Sequence, residues 1–194
     1  EPTELIIADA GLSTEIACFG DNGQIRVDIT QESVPVTEDS TPDYTYDLYQ
    51  GDSVVQTTTT SDLNYTFDAP AGTYKVRVTD ASGCFKETTD ITLTQPDPIS
   101  ISTNNTSNVS CNGGSDGFID ITISGGTANY IYAWTKTGDD SYSATTQDLT
   151  DLSAGTYNVT ITDSSDCTTT NSFTIVEPTE LIIADAGLST EIAC

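Results

Sequence analysis

Apolar and polar residues alternate with a period of two along most of this chain. Tyr74, Val76 and Val78 form one apolar face while Lys75 and Arg77 take the other, and Tyr157, Val159 and Ile161 repeat this against Asn158 and Thr160. Ile25, Val27 and Ile29 do likewise, as do Ile119, Ile121 and Ile123 opposite Asp120 and Thr122. The turn Ser124-Gly125-Gly126 and an aromatic segment with Tyr130, Tyr132 and Trp134 on one face follow. Successive side chains of a strand point to opposite faces, so each segment predicts a strand with one buried side. No segment carries the 3.6-residue period of an amphipathic helix. Thr, Val, Ile and Tyr dominate and turn residues recur regularly, which predicts an all-β chain of immunoglobulin-like antiparallel β-sandwiches, about seven strands in each.

The chain also repeats itself. Its first eighteen residues, Glu1 to Cys18 (EPTELIIADAGLSTEIAC), recur letter for letter from Glu177 to Cys194, which sets a repeat unit of 176 residues. Inside the unit lies an older duplication. Ala71 to Cys84 (AGTYKVRVTDASGC) parallels Ala154 to Cys167 (AGTYNVTITDSSDC), and each is preceded by a Cys-Gly patch, Cys18 to Gly23 and Cys111 to Gly117. Pro96 and Pro178 close the two halves. The expected organisation is domain 1 over residues 1–96, domain 2 over 97–178, and the first strand and first cysteine of a further domain over 179–194. Identical modules in series supply length, as in a rod-like array, so a structural or adhesive role ranks ahead of catalysis.

Charge narrows the partners. Five Lys and Arg stand against thirty Asp and Glu, a net charge of −25, which repels nucleic acid and anionic membrane. Such acidity accompanies disorder in many chains, but 36% hydrophobic residues in strand-like alternation predict a folded chain with an acidic surface. The apolar runs are short pieces such as Leu5-Ile6-Ile7, too short for direct membrane insertion. With neither Met nor signal peptide, the chain reads as an internal piece of a longer precursor.

Taken together, these motifs resemble the SprB repeat family, extracellular modules of large gliding-motility adhesins exported by the type IX secretion system. The second half carries the resemblance best: Ser110 to Gly117 (SCNGGSDG), Gly125 to Trp134 (GGTANYIYAW) and Leu152 to Cys167. It departs from the family pattern at Asn129, where Pro is usual, and at Asp166, where Gly is usual. In the first half the Cys18 patch is one residue shorter and an acidic insertion spans Thr37 to Asp43. The resemblance implies an extracellular location on a bacterial cell surface, with neighbouring repeats and the outer-membrane secretion and motility machinery as partners. A surface or polysaccharide ligand would then be bound elsewhere in the full protein. The GTYxVxVTD element is also similar to spacer domains of secreted hydrolases, so a spacer or carbohydrate-binding accessory role is the alternative.

Candidate chemistry is sparse. One early and one late cysteine per half suggest the disulfides Cys18–Cys84 and Cys111–Cys167, with Cys194 pairing in the next unit. Acidic turns at Asp80, Asp163 and Asp166, with Asp21 and Asp116 beside glycine, offer oxygens to calcium, but none follows a known calcium-loop pattern. Solvated turn aspartates are commoner than ligands, so no cofactor is expected. The absence of His and of any base beside a cysteine argues against an enzyme. Tyr74 and Tyr157 are placed to tie a turn to a strand as the tyrosine corner of such sandwiches does. Tyr130, Tyr132 and Trp134 read as core rather than as a sugar-stacking platform. Asn64, Asn104, Asn105, Asn108 and Asn158 lie in N-x-S/T triplets, which arise by chance in a Thr-rich chain.

Overall fold

The computed structural model describes residues 5–31 and 43–182, so the acidic insertion apart from Asp43 and most of the 179–194 segment lie outside the described residues. The chain divides into two domains, Glu1–Pro98 and Ile99–Cys194. Each is an all-β, immunoglobulin-like sandwich of two antiparallel sheets.

In domain 1 one sheet has the order β1-β2-β5, from Leu5–Thr14, Gly23–Gln31 and Asn64–Ala69. The facing sheet is built from β4 (Ser53–Thr60), β3 (Tyr44–Gln50), β6 (Gly72–Thr79) and β7 (Phe85–Glu87), with β8 (Ile91–Leu93) also on β6. The last strand is thus split in two. At the break the Thr88 N–H donates to the Val76 carbonyl (2.9 Å) and the Thr88 hydroxyl accepts from the Val76 N–H (3.0 Å). One threonine therefore satisfies both backbone groups where the ladder lapses.

Domain 2 repeats the plan. β13 (Leu149–Leu152), β10 (Gly117–Ser124) and β9 (Ser100–Ser107) form one sheet. β12 (Asp139–Ala144), β11 (Ile131–Lys136), β14 (Gly155–Thr162) and β15 (Thr168–Ile175) form the other.

The alternating segments supply the cores. Ile25, Val27 and Ile29 face Tyr44, Tyr46, Leu48, Tyr74, Val76 and Val78 in domain 1. Ile119 and Ile121 with Trp134, Tyr157, Val159 and Ile161 do so in domain 2, where Ile123 is half-buried at the edge of the cluster. Lys75 and Arg77 fall on the outer face, both within ion-pair distance of Glu87. Such exposed pairs contribute little, about 0–1 kcal/mol each.

Connectivity fixes a polarity common to both domains. β2 runs antiparallel to β5, and β5 turns directly into β6, so β2 and β6 run in the same direction on opposite sheets. The chain enters each domain at the far end of these strands and leaves at their near end. In domain 1, Leu5 pairs with Gln31 at the end of β2, whereas Leu93 pairs with Gly72 at the start of β6. In domain 2, Ser100 pairs with Ser124 at the end of β10, whereas Ile175 pairs with Gly155 at the start of β14. The two ends are called leading and trailing below.

Candidate functional site

The residues singled out by the sequence gather in two turns at opposite ends of each domain. At the leading end, β6 and β14 each stop at an aspartate whose side chain closes the turn that follows. Asp80 Oδ1 accepts the Ser82 and Cys84 N–H groups (2.8 and 2.9 Å), and the Asp80 N–H donates to the Cys84 carbonyl (2.9 Å). Asp163 repeats this with Ser165 (2.8 Å), Cys167 (3.0 Å) and the Cys167 carbonyl (3.0 Å). A short acceptor two residues ahead of a free N–H is the usual reason for aspartate in turns. The fourth turn position has positive φ, +85° at Gly83 and +63° at Asp166, a conformation that suits glycine and makes Asp166 a strained occupant.

Domain 2 adds a second clamp. Asp163, only 2% exposed, accepts the Thr127 N–H on Oδ2 (2.8 Å). Gly126 makes this approach possible: its φ is +61°, and a Cβ there would lie 2.7 Å from both Asp163 Oδ2 and Ile99 Cγ1. The Thr127 N–H, with those of Ser165 and Cys167, holds the Asp163 carboxyl below its ordinary value of 3.8, against the opposing effect of burial.

A group whose folded pKa is depressed contributes stability above the unfolded value and loses it as pH falls through the folded one. Asp163 therefore contributes fully above about pH 4 and progressively less in stronger acid. Asp163→Asn is expected to lower stability at neutral pH, with the gap to the parent closing below pH 3.8. All other acids are shared by the two proteins, so the difference isolates this one. Emission of Trp134, the only tryptophan, follows domain 2 alone.

These aspartates are engaged by backbone N–H groups rather than arrayed around an ion. Asp116 likewise accepts the Ser110 N–H (2.9 Å), and its pKa is lowered chiefly by hydrogen bonding from Ser110. Among the described residues no three Cys, Asp or Glu side chains cluster as a metal site. We expect chelation to move the melting midpoint by less than a few degrees; a larger loss would assign metal to Asp80, Asp163 and Asp166.

At the trailing end the early cysteine opens a tight turn. The Cys18 carbonyl accepts the Asp21 N–H (3.2 Å) and the Cys111 carbonyl accepts the Gly114 N–H (3.0 Å), with φ of +87° at Gly20 and +70° at Gly113. The departing chain pins this turn. Gly20 donates to Gln95 Oε1 (3.0 Å), and Gly113 donates to Glu177 Oε2 (2.7 Å). The Gln-Pro and Glu-Pro pairs that close the two halves are therefore clasps, a role not visible in the sequence.

The positions of the cysteines correct the expected pairing. Cys84 and Cys111 carry free, exposed thiols, while Cys18 and Cys167 are disulfide-bonded. Neither Cys18–Cys84 nor Cys111–Cys167 is formed. Within each domain the early cysteine sits at the trailing end and the late one at the leading end. The eight residues of β6, Gly72–Thr79, lie between them and span roughly 23 Å at a strand's rise. A disulfide needs Cα atoms within about 7 Å.

Tyr74 and Tyr157 are tyrosine corners. Their hydroxyls donate to the carbonyls of Pro70 (3.0 Å) and Ser153 (2.9 Å), four residues upstream in each case. Burial pushes the Tyr74 phenol up. Lys136 braces the second corner, with Nζ 5.1 Å from the Tyr157 ring centroid and 2.6 Å from Ser153 Oγ. Tyr157→Phe is expected to lower the stability of domain 2 by about 1–2 kcal/mol, read by thermal unfolding, because the Ser153 carbonyl loses its donor. Trp134 is buried and its indole N–H donates to the Thr146 carbonyl (2.9 Å). Tyr130 and Tyr132 are half-buried against the same cluster, so this aromatic group is core and no stacking platform.

Comparison with known proteins places these turns in context. No protein of curated function matches the chain. Among solved structures, it is similar to the three N-terminal domains of the bacteriophage RB49 Highly Immunogenic Outer Capsid protein, with 20% identity over 87% of this chain and 58% of that one and a TM-score of 0.43. It is also similar to a C-terminal 282-residue fragment of intimin, with 16% identity over 87% and 63% and a TM-score of 0.46. The fibronectin(III)-like modules of Clostridium thermocellum CbhA align at 17% identity over 90% and 94%, with a TM-score of 0.33. The chain spans about three fifths of the first two. Residues 103–138, which hold most of β9, the Cys111 turn, β10, the Gly125-Gly126 clamp and β11, match the family model of the SprB repeat.

Proposed function

We propose that this chain is a repeat section of a large secreted cell-surface adhesin or filament used for surface attachment and gliding motility, in which the domains act as structural spacers that transmit force. The observation that carries the reading is the exact recurrence of Glu1 to Cys18 at Glu177 to Cys194. The polarity of each domain supports it. Within each domain the chain enters at one end of the sandwich and leaves at the other, so the two ends of a single domain stand about a strand length apart.

The same polarity suits load bearing. Tension would be applied along β1 at the leading end and along β8 at the trailing end. The hydrogen bonds joining them to β2 and β6 lie across the strands. They are then sheared together rather than peeled singly. The acidic surface keeps such arrays apart from one another and from anionic membrane. The SprB repeat match at residues 103–138 is in keeping with a surface location. The buried Trp134 speaks against the alternative of a carbohydrate-binding accessory module.

Deletion of whole 176-residue units from the gene in the producing cell tests this reading. The expected result is an exported, shortened protein and cells that attach or glide less well in proportion to the units removed. Undiminished attachment and gliding with a protein shortened severalfold would overturn it.

A further inference from the structure

We propose that the outer face of the β4-β3-β6-β7 sheet of domain 1 binds a neutral, multiply hydroxylated ligand, a saccharide. The register of the sheet sets the residues of this face side by side. Arg77 lies between Asp47 on β3 and Glu87 on β7, and Lys75 lies beside Tyr49. Arg77 is held from three directions. Its Nε and one terminal nitrogen donate to Glu87 Oε1 (2.9 and 2.6 Å), and its guanidinium carbon stands 5.0 Å from the Tyr49 ring centroid and 4.5 Å from that of Phe85. Phe85 remains 53% exposed. Two of the five guanidinium N–H donors go to Glu87, and among the described residues no partner takes the others. Beside this group a shallow cleft of about 370 Å³, lined by Tyr49, Gly51, Asp52, Lys75, Arg77 and Glu87, runs into a second of about 340 Å³ that reaches Thr73 and Asp90.

The fold does not require this group. In the matching sheet of domain 2, Asn158 and Thr160 stand where Lys75 and Arg77 do, Ala133 and Thr135 where Asp47 and Tyr49 do, and Thr168 and Thr170 where Phe85 and Glu87 do. None of these is charged or aromatic, and the sandwich stands without them. Stability does not explain the group either, since exposed ion pairs of this kind add only about 0–1 kcal/mol each. Charge balance selects the ligand. Two cations, Lys75 and Arg77, share the face with four carboxylates, Asp47, Asp52, Glu87 and Asp90, so anions and cations alike meet a like charge. An apolar partner would bury these groups without hydrogen bonds. A saccharide meets neither cost: its hydroxyls accept from Arg77 and Lys75 and donate to the carboxylates, while its C–H faces pack on the aromatic rings. A cleft with an aromatic wall and a few fixed polar groups is the usual form of a small-ligand site. Because Glu87 and two rings already hold Arg77, little side-chain freedom is lost on binding. In a chain where the unit recurs, weak contacts of this kind add as avidity, a step that alone rests on the repeat-array reading.

The test is titration of the isotope-labelled 194-residue chain with neutral gluco-, manno-, galacto- and xylo-oligosaccharides at millimolar concentration, followed by amide chemical shifts, with oligogalacturonate as the acidic probe. At least one neutral probe is expected to shift the amides of Tyr49, Lys75, Arg77 and Phe85, and oligogalacturonate to bind more weakly or not at all. Arg77→Thr combined with Phe85→Thr installs the residues that domain 2 carries at these positions. It is expected to weaken binding about tenfold or more, with domain 1 still folded. Arg77→Lys keeps the charge but loses the planar fork, and should also weaken binding while leaving the core amide shifts in place. Binding of none of the neutral probes, preference for oligogalacturonate, shifts confined to other faces, or undiminished affinity in either folded variant would overturn the proposal. None of these results depends on the attachment or gliding of cells, so failure here leaves the array reading standing.

Discussion

Trp134→Ala is expected to remove about 3–5 kcal/mol from domain 2, the usual cost of deleting a buried large aromatic side chain. Trp134 is 1% exposed and packs with its ring centroid 5.8 Å from that of Phe173. Its loss opens a cavity between the sheets and leaves the Thr146 carbonyl without its donor. A domain of this size has only about 5–15 kcal/mol in total, so the change is a large fraction. Thermal unfolding followed by circular dichroism should show a new early transition carrying about half the amplitude, with domain 1 melting where it did. Trp134→Phe, which keeps most of the volume, should lose much less. If the alanine variant melted as the parent does, Trp134 would not be the centre of this core.

Gly126→Val is expected to cost roughly 2–3 kcal/mol, from a β-branched residue forced to positive φ. Gly126 has φ +61°, and any Cβ there lies 2.7 Å from Asp163 Oδ2. The side chain therefore parts the Thr127–Asp163 clamp as well as straining the backbone. The opposite change at a like position, Asp166→Gly, relieves a residue held at φ +63° and should be neutral or stabilising. Hydrogen exchange separates the two effects: in Gly126→Val the amides of Thr127, Ser165 and Cys167 lose protection first. Unchanged protection at those three would remove Asp163 from its place at the leading end.

What could be read from the sequence follows where burial is one-sided. β2, β6, β10, β11 and β14 each carry a more buried face against a more exposed one, and that contrast is the period-two signal. β4 and β12 carry no such signal. They are edge strands with little buried on either face, as in Ser53–Thr60, where Val54 and Val55 are both exposed. The Asp80 and Asp163 turns were legible as turns, and the tyrosine corners as a motif, because local chemistry specifies both.

The cysteine pairing does not follow from the sequence count for a definite reason. Counting one early and one late cysteine per domain says nothing of direction, and the start of β2 lies beside the start, not the end, of β6. The signal in the sequence against that pairing is the eight-residue length of the GTY strand. The clasps of Gln95 and Glu177 left no local trace, because each joins residues more than sixty positions apart.

The central claim is that these domains stand outside the cell as repeats of a surface filament. It is tested most directly by adding antibody raised against the 194-residue chain to intact, living cells of the producing organism. The account predicts labelling without permeabilisation, in extended surface filaments, with attachment and gliding impaired by the bound antibody. Labelling that appears only after the cells are opened would contradict it.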